Sequence, residues 1–145
     1  MKDRFLAGFA VFVAASAACA QNDPIAARRA ILKGFGDVTK GAAAMLKGEV
    51  PFDLAAVRNA LKTYSEGAKK LPALFPEDSK TGGDTAALPK IWDDKARFES
   101  LYAKLDRDAA ANMNAIVDEA SFKREFPKQL GDCKTCHDDY RAKKS

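Results

Sequence analysis

Apolar residues recur at steps of three and four along most of this chain, the spacing of one face of an α-helix, and nowhere do they alternate as a strand would. The cleanest stripe is Leu54, Val57, Leu61, Tyr64, Ala68 and Leu71, and it predicts a helix opened by Asp53 as N-cap. Upstream, Asp23-Pro24 joins an N-cap to a proline at the first helical position and predicts a helix to about Lys47, ended by Gly48. A third stripe runs Phe98, Tyr102, Leu105, Ala109, Met113 and Ile116. A fourth runs Phe122, Phe126, Leu130, Cys133, His137 and Tyr140, with Pro127 expected to kink that helix or to mark its true start. Between the second and third stripes, Pro72, Pro76, Gly82, Gly83 and Pro89 predict one long loop over residues 72–89. The expected architecture is therefore all-α, an antiparallel four-helix bundle whose fourth stripe faces the core.

Inside the first helix, Gly34, Gly36 and Gly41 each cost roughly 1 kcal/mol relative to alanine. A close approach, to a cofactor or to a partner helix, is expected to offset them.

The first twenty residues follow a different pattern. Lys2 and Arg4 precede an apolar stretch from Phe5 to about Ala18, followed by Ala18-Cys19-Ala20, a small-x-small cleavage site. The stretch falls short of the ~20 apolar residues of a spanning helix. Residues 1–20 thus read as a signal peptide and 21–145 as one exported domain beginning at Gln21. Ser16-Ala17-Ala18-Cys19 also offers a weak lipoprotein site at Cys19, without the usual branched apolar residue three before the cysteine. A domain of this size supports one core. The formal charge is +4, and cleavage removes Lys2, Arg4 and Asp3, a net +1, to leave +3. So mild and dispersed an excess gives no basis for nucleic-acid binding. Lys128, Lys134, Lys143 and Lys144 read as a solvated helix face rather than a docking patch for an acidic partner.

The chemistry concentrates in Cys133-Lys134-Thr135-Cys136-His137. C-x-x-C-H is the attachment pattern of a c-type haem: two thiols three residues apart share a helix face with a histidine four residues after the first. One helix can then supply both thioethers, from Cys133 and Cys136, and the proximal iron ligand, His137. A zinc site is a poor alternative, since it needs about four N or S ligands and His137 is the single histidine. A thioredoxin-like dithiol belongs beside a βαβ pattern that is missing here.

With helices ahead of a C-terminal haem motif, the chain resembles the class II c-type cytochromes typified by cytochrome c′. The resemblance rests on Ala27-Arg28-Arg29-Ala30-Ile31-Leu32-Lys33, Met45-Leu46-Lys47-Gly48-Glu49, Leu74-Phe75-Pro76, Thr85 through Trp92, and Cys133 through Arg141. It implies one covalently attached haem c in the bundle core near the C-terminus. It also implies that Leu32, four residues after Arg28, faces the distal side of the iron, where low-spin members carry a methionine and cytochrome c′ proper an apolar side chain. Leucine cannot coordinate iron. Met45 lies about 20 Å further along the helix at 1.5 Å per residue, and Met113 fits core packing, with a displaced iron ligand as its alternative reading. Arg28 is expected to grip a haem propionate bidentately, with Arg29 the solvated neighbour. Arg141, one turn after His137, resembles the arginine beside the proximal histidine of the family and also complements a helix C-terminus.

The resemblance therefore implies a periplasmic, five-coordinate, high-spin haem protein that binds NO or CO and transfers electrons to a periplasmic redox partner. The alternative is a low-spin, six-coordinate class II electron carrier. Neither reading is an enzyme: a distal side formed by Leu32 and Phe35 supplies no acid or base to break an O–O bond. The family also implies a homodimer through the first two helices.

Overall fold

The computed structural model describes residues 23–143, so the expected signal peptide and Cys19 lie outside the described residues. Five helices follow in order: α1 (Pro24–Lys47), α2 (Leu54–Lys70), α3 (Lys90–Asp93), α4 (Lys95–Ala115) and α5 (Glu119–Tyr140). The long helices α1, α2, α4 and α5 make an up-down-up-down bundle in which α2 packs on α1 and α4, and α4 packs on α5. Phe52, just ahead of α2, stacks on Phe122 in the first turn of α5 at 5.5 Å, so α2 and α5 start at the same end. The fold is all-α, as the hydrophobic spacing predicts, and no helix among the described residues is long and apolar enough to cross a membrane.

The helix ends follow local chemistry. Asp23 caps α1 by accepting from the Ile25 and Ala26 N–H groups at 2.8 and 3.1 Å, and Asp53 caps α2 in the same way. Gly48 closes α1 at φ 72°, a left-handed conformation that glycine adopts without a Cβ clash. In α5, Asp118 and Ser121 form a reciprocal capping box.

Two predicted boundaries need correction. The third helix is broken, because Asp94 leaves helical geometry at φ −128°, ψ 47° and separates the turn α3 from α4, while its carboxylate accepts from the Tyr140 hydroxyl at 3.0 Å. Pro127 does not start the fourth helix: α5 begins at Glu119 and runs through it. Pro127 lies on the exposed face, where water can satisfy the Lys123 carbonyl that the missing N–H would have bonded.

The segment predicted as one loop is more ordered than that. It holds two 3₁₀ turns, Leu71–Leu74 and Glu77–Ser79. The Trp92 indole N–H donates to the Phe75 and Pro76 carbonyls at 3.1 Å each, and an isolated bridge pairs Ala87 with Arg141. Through that bridge the loop's exit is tied to the last turn of α5.

The glycine expectation moves to another helix. A Cβ at Gly34, Gly36 or Gly41 would meet nothing beyond its own helix turn within 4 Å among the described residues. The close approach is at Gly67 of α2, where a Cβ would lie 2.3 Å from Phe35 Cε1 and 2.8 Å from Ile31 Cγ2.

Candidate functional site

Phe122 and Phe126 anchor α5 with no solvent exposure, and Phe126 lies 6.3 Å from Tyr64 of α2. From Leu130 onward the same stripe borders a cavity of about 1230 Å³. Ordinary small-molecule sites run to about 300–1,000 Å³, so this one has room for a large group with an apolar body. Cys133, Cys136 and His137 line it from α5; Leu32 and Phe35 line it from α1. Phe98, Leu101 and Leu105 of α4 continue the apolar surface. The motif therefore faces a space for a cofactor, as its stripe predicts.

Both cysteines are free thiols, half-buried in that wall. Burial pushes the Cys136 thiol up to about 11 and raises Cys133 as well, with Asp132 adding to the latter. His137 shifts the other way: desolvation and then the Arg141 cation lower its pKa, with Asp138 opposing. The result favours a neutral imidazole, the form that ligates metals. Arg141 is exposed at the cavity rim, its backbone N–H bonding the His137 carbonyl at 3.2 Å.

Arg28 reaches the cavity, but its guanidinium is committed elsewhere. Nη1 donates to the Leu74 carbonyl at 3.0 Å and to Ser79 Oγ at 2.8 Å; Nη2 donates to the Ser79 carbonyl at 3.0 Å and to Thr85 Oγ1 at 2.8 Å. The plane stacks over Phe75 at 4.5 Å. All four Nη protons are thus used by neutral oxygens, and the bidentate grip on a carboxylate expected from the sequence is not open to these atoms. Arg28 is 2% exposed, and burial lowers its pKa while Asp23 and Tyr102 work against the shift. Arg29 is the solvated neighbour the sequence predicts, paired on the surface with Asp84 at 2.6 Å.

Three cavity residues carry chemistry that the sequence did not single out. The hydroxyl of Tyr102, a residue read only as core, has no hydrogen-bond partner among the described residues. Thr85 holds Arg28. Asp132, next to Cys133, accepts from Lys104 at 2.5 Å; burial raises its pKa against that bond. No methionine among the described residues lines the cavity: Met45 is buried elsewhere, its sulfur accepting from the Asp53 N–H at 3.2 Å, and Met113 packs on the core.

The residues fit a haem on the grounds a haem requires. Two unpaired thiols and a histidine border one large apolar cavity, and a buried cation beside it lacks a carboxylate partner among the described residues. A helical bundle with this arrangement belongs to the c-type haem proteins. The family model for cytochrome c′ matches residues 23–141, and the chain belongs to that family. It is 61% identical over 128 residues to a cytochrome c′ of Rhodopseudomonas palustris, covering 88% of each chain. It is 42% identical over 118 residues to a cytochrome c-556 of Agrobacterium fabrum, covering 81% of this chain and 80% of that one. Among solved structures, cytochrome c′ from Rhodopseudomonas palustris superposes with a TM-score of 0.84 at 61% identity, over 86% of this chain and 100% of the other. Cytochrome c556 of R. palustris superposes with a TM-score of 0.79 at 31% identity, over 86% and 100%. Members of the family carry one covalently bound haem c, and the two cysteines near the C-terminus fit that attachment.

Proposed function

We propose that Cys133 and Cys136 carry the haem thioethers, that His137 is the proximal iron ligand, and that Leu32 occupies the distal side without bonding. The protein is then a five-coordinate, high-spin haem protein that binds NO or CO and exchanges electrons with a periplasmic partner, exported by cleavage after residue 20. When bound, the haem supplies an iron that takes a diatomic ligand and one electron. The chain supplies the surroundings: His137 presents a neutral nitrogen, Arg28 sets a buried positive charge beside a propionate, and Arg141 sets a second charge beside His137. The observation that carries this reading is the cavity lining, which among the described residues includes Leu32 and no methionine. An apolar distal side gives bound oxygen no hydrogen-bond donor, and carbon monoxide and nitric oxide depend on one less.

Gas access is then controlled by displacement of the Leu32 side chain. Leu32→Ala should accelerate carbon monoxide association with the ferrous protein at least several-fold. An unchanged rate would remove Leu32 from that role.

A second reading is a low-spin electron carrier, supported by the likeness to cytochromes c-556. It requires a sixth ligand, and Met113, half-buried on α4, is the methionine that a rearranged helix would have to deliver. Gly34, Gly36 and Gly41 leave open space along α1, which suits a homodimer through α1 and α2; light scattering of the purified holoprotein reads its mass directly.

A further inference from the structure

Two hydroxyls hold the Arg28 guanidinium, and they differ in where their own protons go. Ser79 Oγ accepts from Arg28 Nη1 at 2.8 Å and donates to the Pro76 carbonyl at 2.9 Å, so its hydrogen bonds close within the chain. Thr85 Oγ1 accepts twice, from Arg28 Nη2 at 2.8 Å and from the Ala87 N–H at 3.2 Å, and among the described residues it donates to nothing. A hydroxyl oxygen has two lone pairs and one O–H. With both lone pairs taken, the proton keeps the one remaining tetrahedral direction. Thr85 is half-buried and lines the cavity.

The same corner holds a buried cation that no carboxylate among the described residues contacts. Arg28 is 2% exposed, and its four Nη bonds all end on neutral oxygens. The carboxylate of Asp84, the residue before Thr85, is engaged by Arg29 on the exposed rim at 2.6 Å. Burying a charge without a counter-charge is costly. An O–H seeking an acceptor and a cation seeking an anion ask for one ligand chemistry, a carboxylate.

We infer that the Thr85 hydroxyl is the hydrogen-bond donor to a carboxylate of the bound haem, and that Arg28 is a positioning residue acting through it. The guanidinium occupies one lone pair of Thr85, which fixes the direction of the O–H and polarises it. The inference rests on the haem assignment proposed above. Hydrogen bonding to the charged form of a carboxylate lowers its pKa, and loss of the bond raises it. Less compensated negative charge beside the iron also favours the ferric state, so the reduction potential falls.

The test compares holoproteins carrying Thr85→Val, Thr85→Ser and Ser79→Ala, each checked for haem that stays with the denatured polypeptide. The readout is the reduction potential followed against pH. Thr85→Val should lower the potential at neutral pH and move the propionate-linked step to higher pH; Thr85→Ser, which keeps the donor, should leave both near wild type. Ser79→Ala removes a bond to Arg28 without touching the Thr85 proton, so it should lower the melting temperature and leave the step in place. A Thr85→Val step unmoved from wild type, or an equal displacement in Ser79→Ala, overturns the inference. Should Thr85→Val fail to yield holoprotein, a crystal structure of the wild-type holoprotein decides: Thr85 Oγ1 within hydrogen-bond distance of a propionate oxygen supports the inference, and any other placement overturns it. Haem that extracts from the wild-type chain would instead refute the haem assignment itself.

Discussion

Helix α5 and the segment from Leu71 to Ala87 border the same cavity and are held in opposite ways. On α5 the reactive groups are displayed: Cys133, Cys136 and His137 stand on the last turns of one helix, and no side-chain hydrogen bond from the described residues restrains them. Across the cavity the polar groups are spent on each other, with four Arg28 bonds and the Ser79 to Pro76 bond drawing the loop onto α1. The α5 wall is arranged to form bonds with a cofactor. The loop wall is arranged to keep its shape, and Thr85 is the hydroxyl it turns outward. The site therefore combines a preformed side with a side that the cofactor itself completes.

The strongest way to break that contrast is at α5. Replacing both Cys133 and Cys136 by alanine should abolish covalent haem altogether, read by acid-acetone extraction, in which the wild-type colour stays with the polypeptide. Covalent haem surviving in the double variant would mean that attachment lies elsewhere.

The loop wall should answer with stability. Arg28→Ala strands the Leu74 and Ser79 carbonyls and empties a buried volume, so it should cost about 2–4 kcal/mol in a denaturant melt and displace the reduction potential. Arg29→Ala breaks only an exposed pair and should cost less than about 0.5 kcal/mol. Equal costs would mean that the two arginines do not divide their roles as described.

Behind the distal side, Gly67→Ala should drive Phe35 from its place, at about 1–3 kcal/mol. Gly34→Ala, with open space before it, should be neutral or stabilise by up to about 1 kcal/mol. The same melts measure both, and reversed signs would contradict the packing of α1 on α2.

The smallest effect concerns the thiols before haem is attached. With Cys136 raised to about 11, the thiolate is scarce at pH 8, so alkylation of the haem-free chain should run at least tenfold slower than in the same chain unfolded in urea. The difference should shrink as pH rises toward 11. Equal rates at pH 8 would show that the α5 wall is not formed without the cofactor.

What could be read from the chain follows the same division. The α5 chemistry is contiguous, three of five successive residues on one helix face, so spacing alone exposed it. The stripes of α2 and α4 were legible because each turns one apolar face to the core, as the unexposed Val57, Leu61 and Tyr64 illustrate, and α1 was legible from its caps. The Arg28 clamp was not: its partners lie 46 to 57 residues away along the chain and are a backbone carbonyl and two ordinary hydroxyl residues. A buried arginine suggested a carboxylate partner, and only the folded loop shows neutral oxygens in that place. The break at Asp94 was not legible because the stripe that marks this helix begins only at Phe98, while a Tyr140 hydroxyl from another helix fixes the turn. Pro127 misled in the other direction, since its rule applies most strictly where water cannot replace the lost bond.

The central claim is that Leu32 holds the distal side of the iron without bonding to it. The most direct measurement is the electronic absorption spectrum of the purified holoprotein in both oxidation states, supported by electron paramagnetic resonance of the ferric form. The account predicts high-spin spectra in both states, and partial conversion toward low spin in Leu32→Met. A wild-type low-spin spectrum with a methionine–iron charge-transfer band would contradict it and assign the protein to the electron carriers.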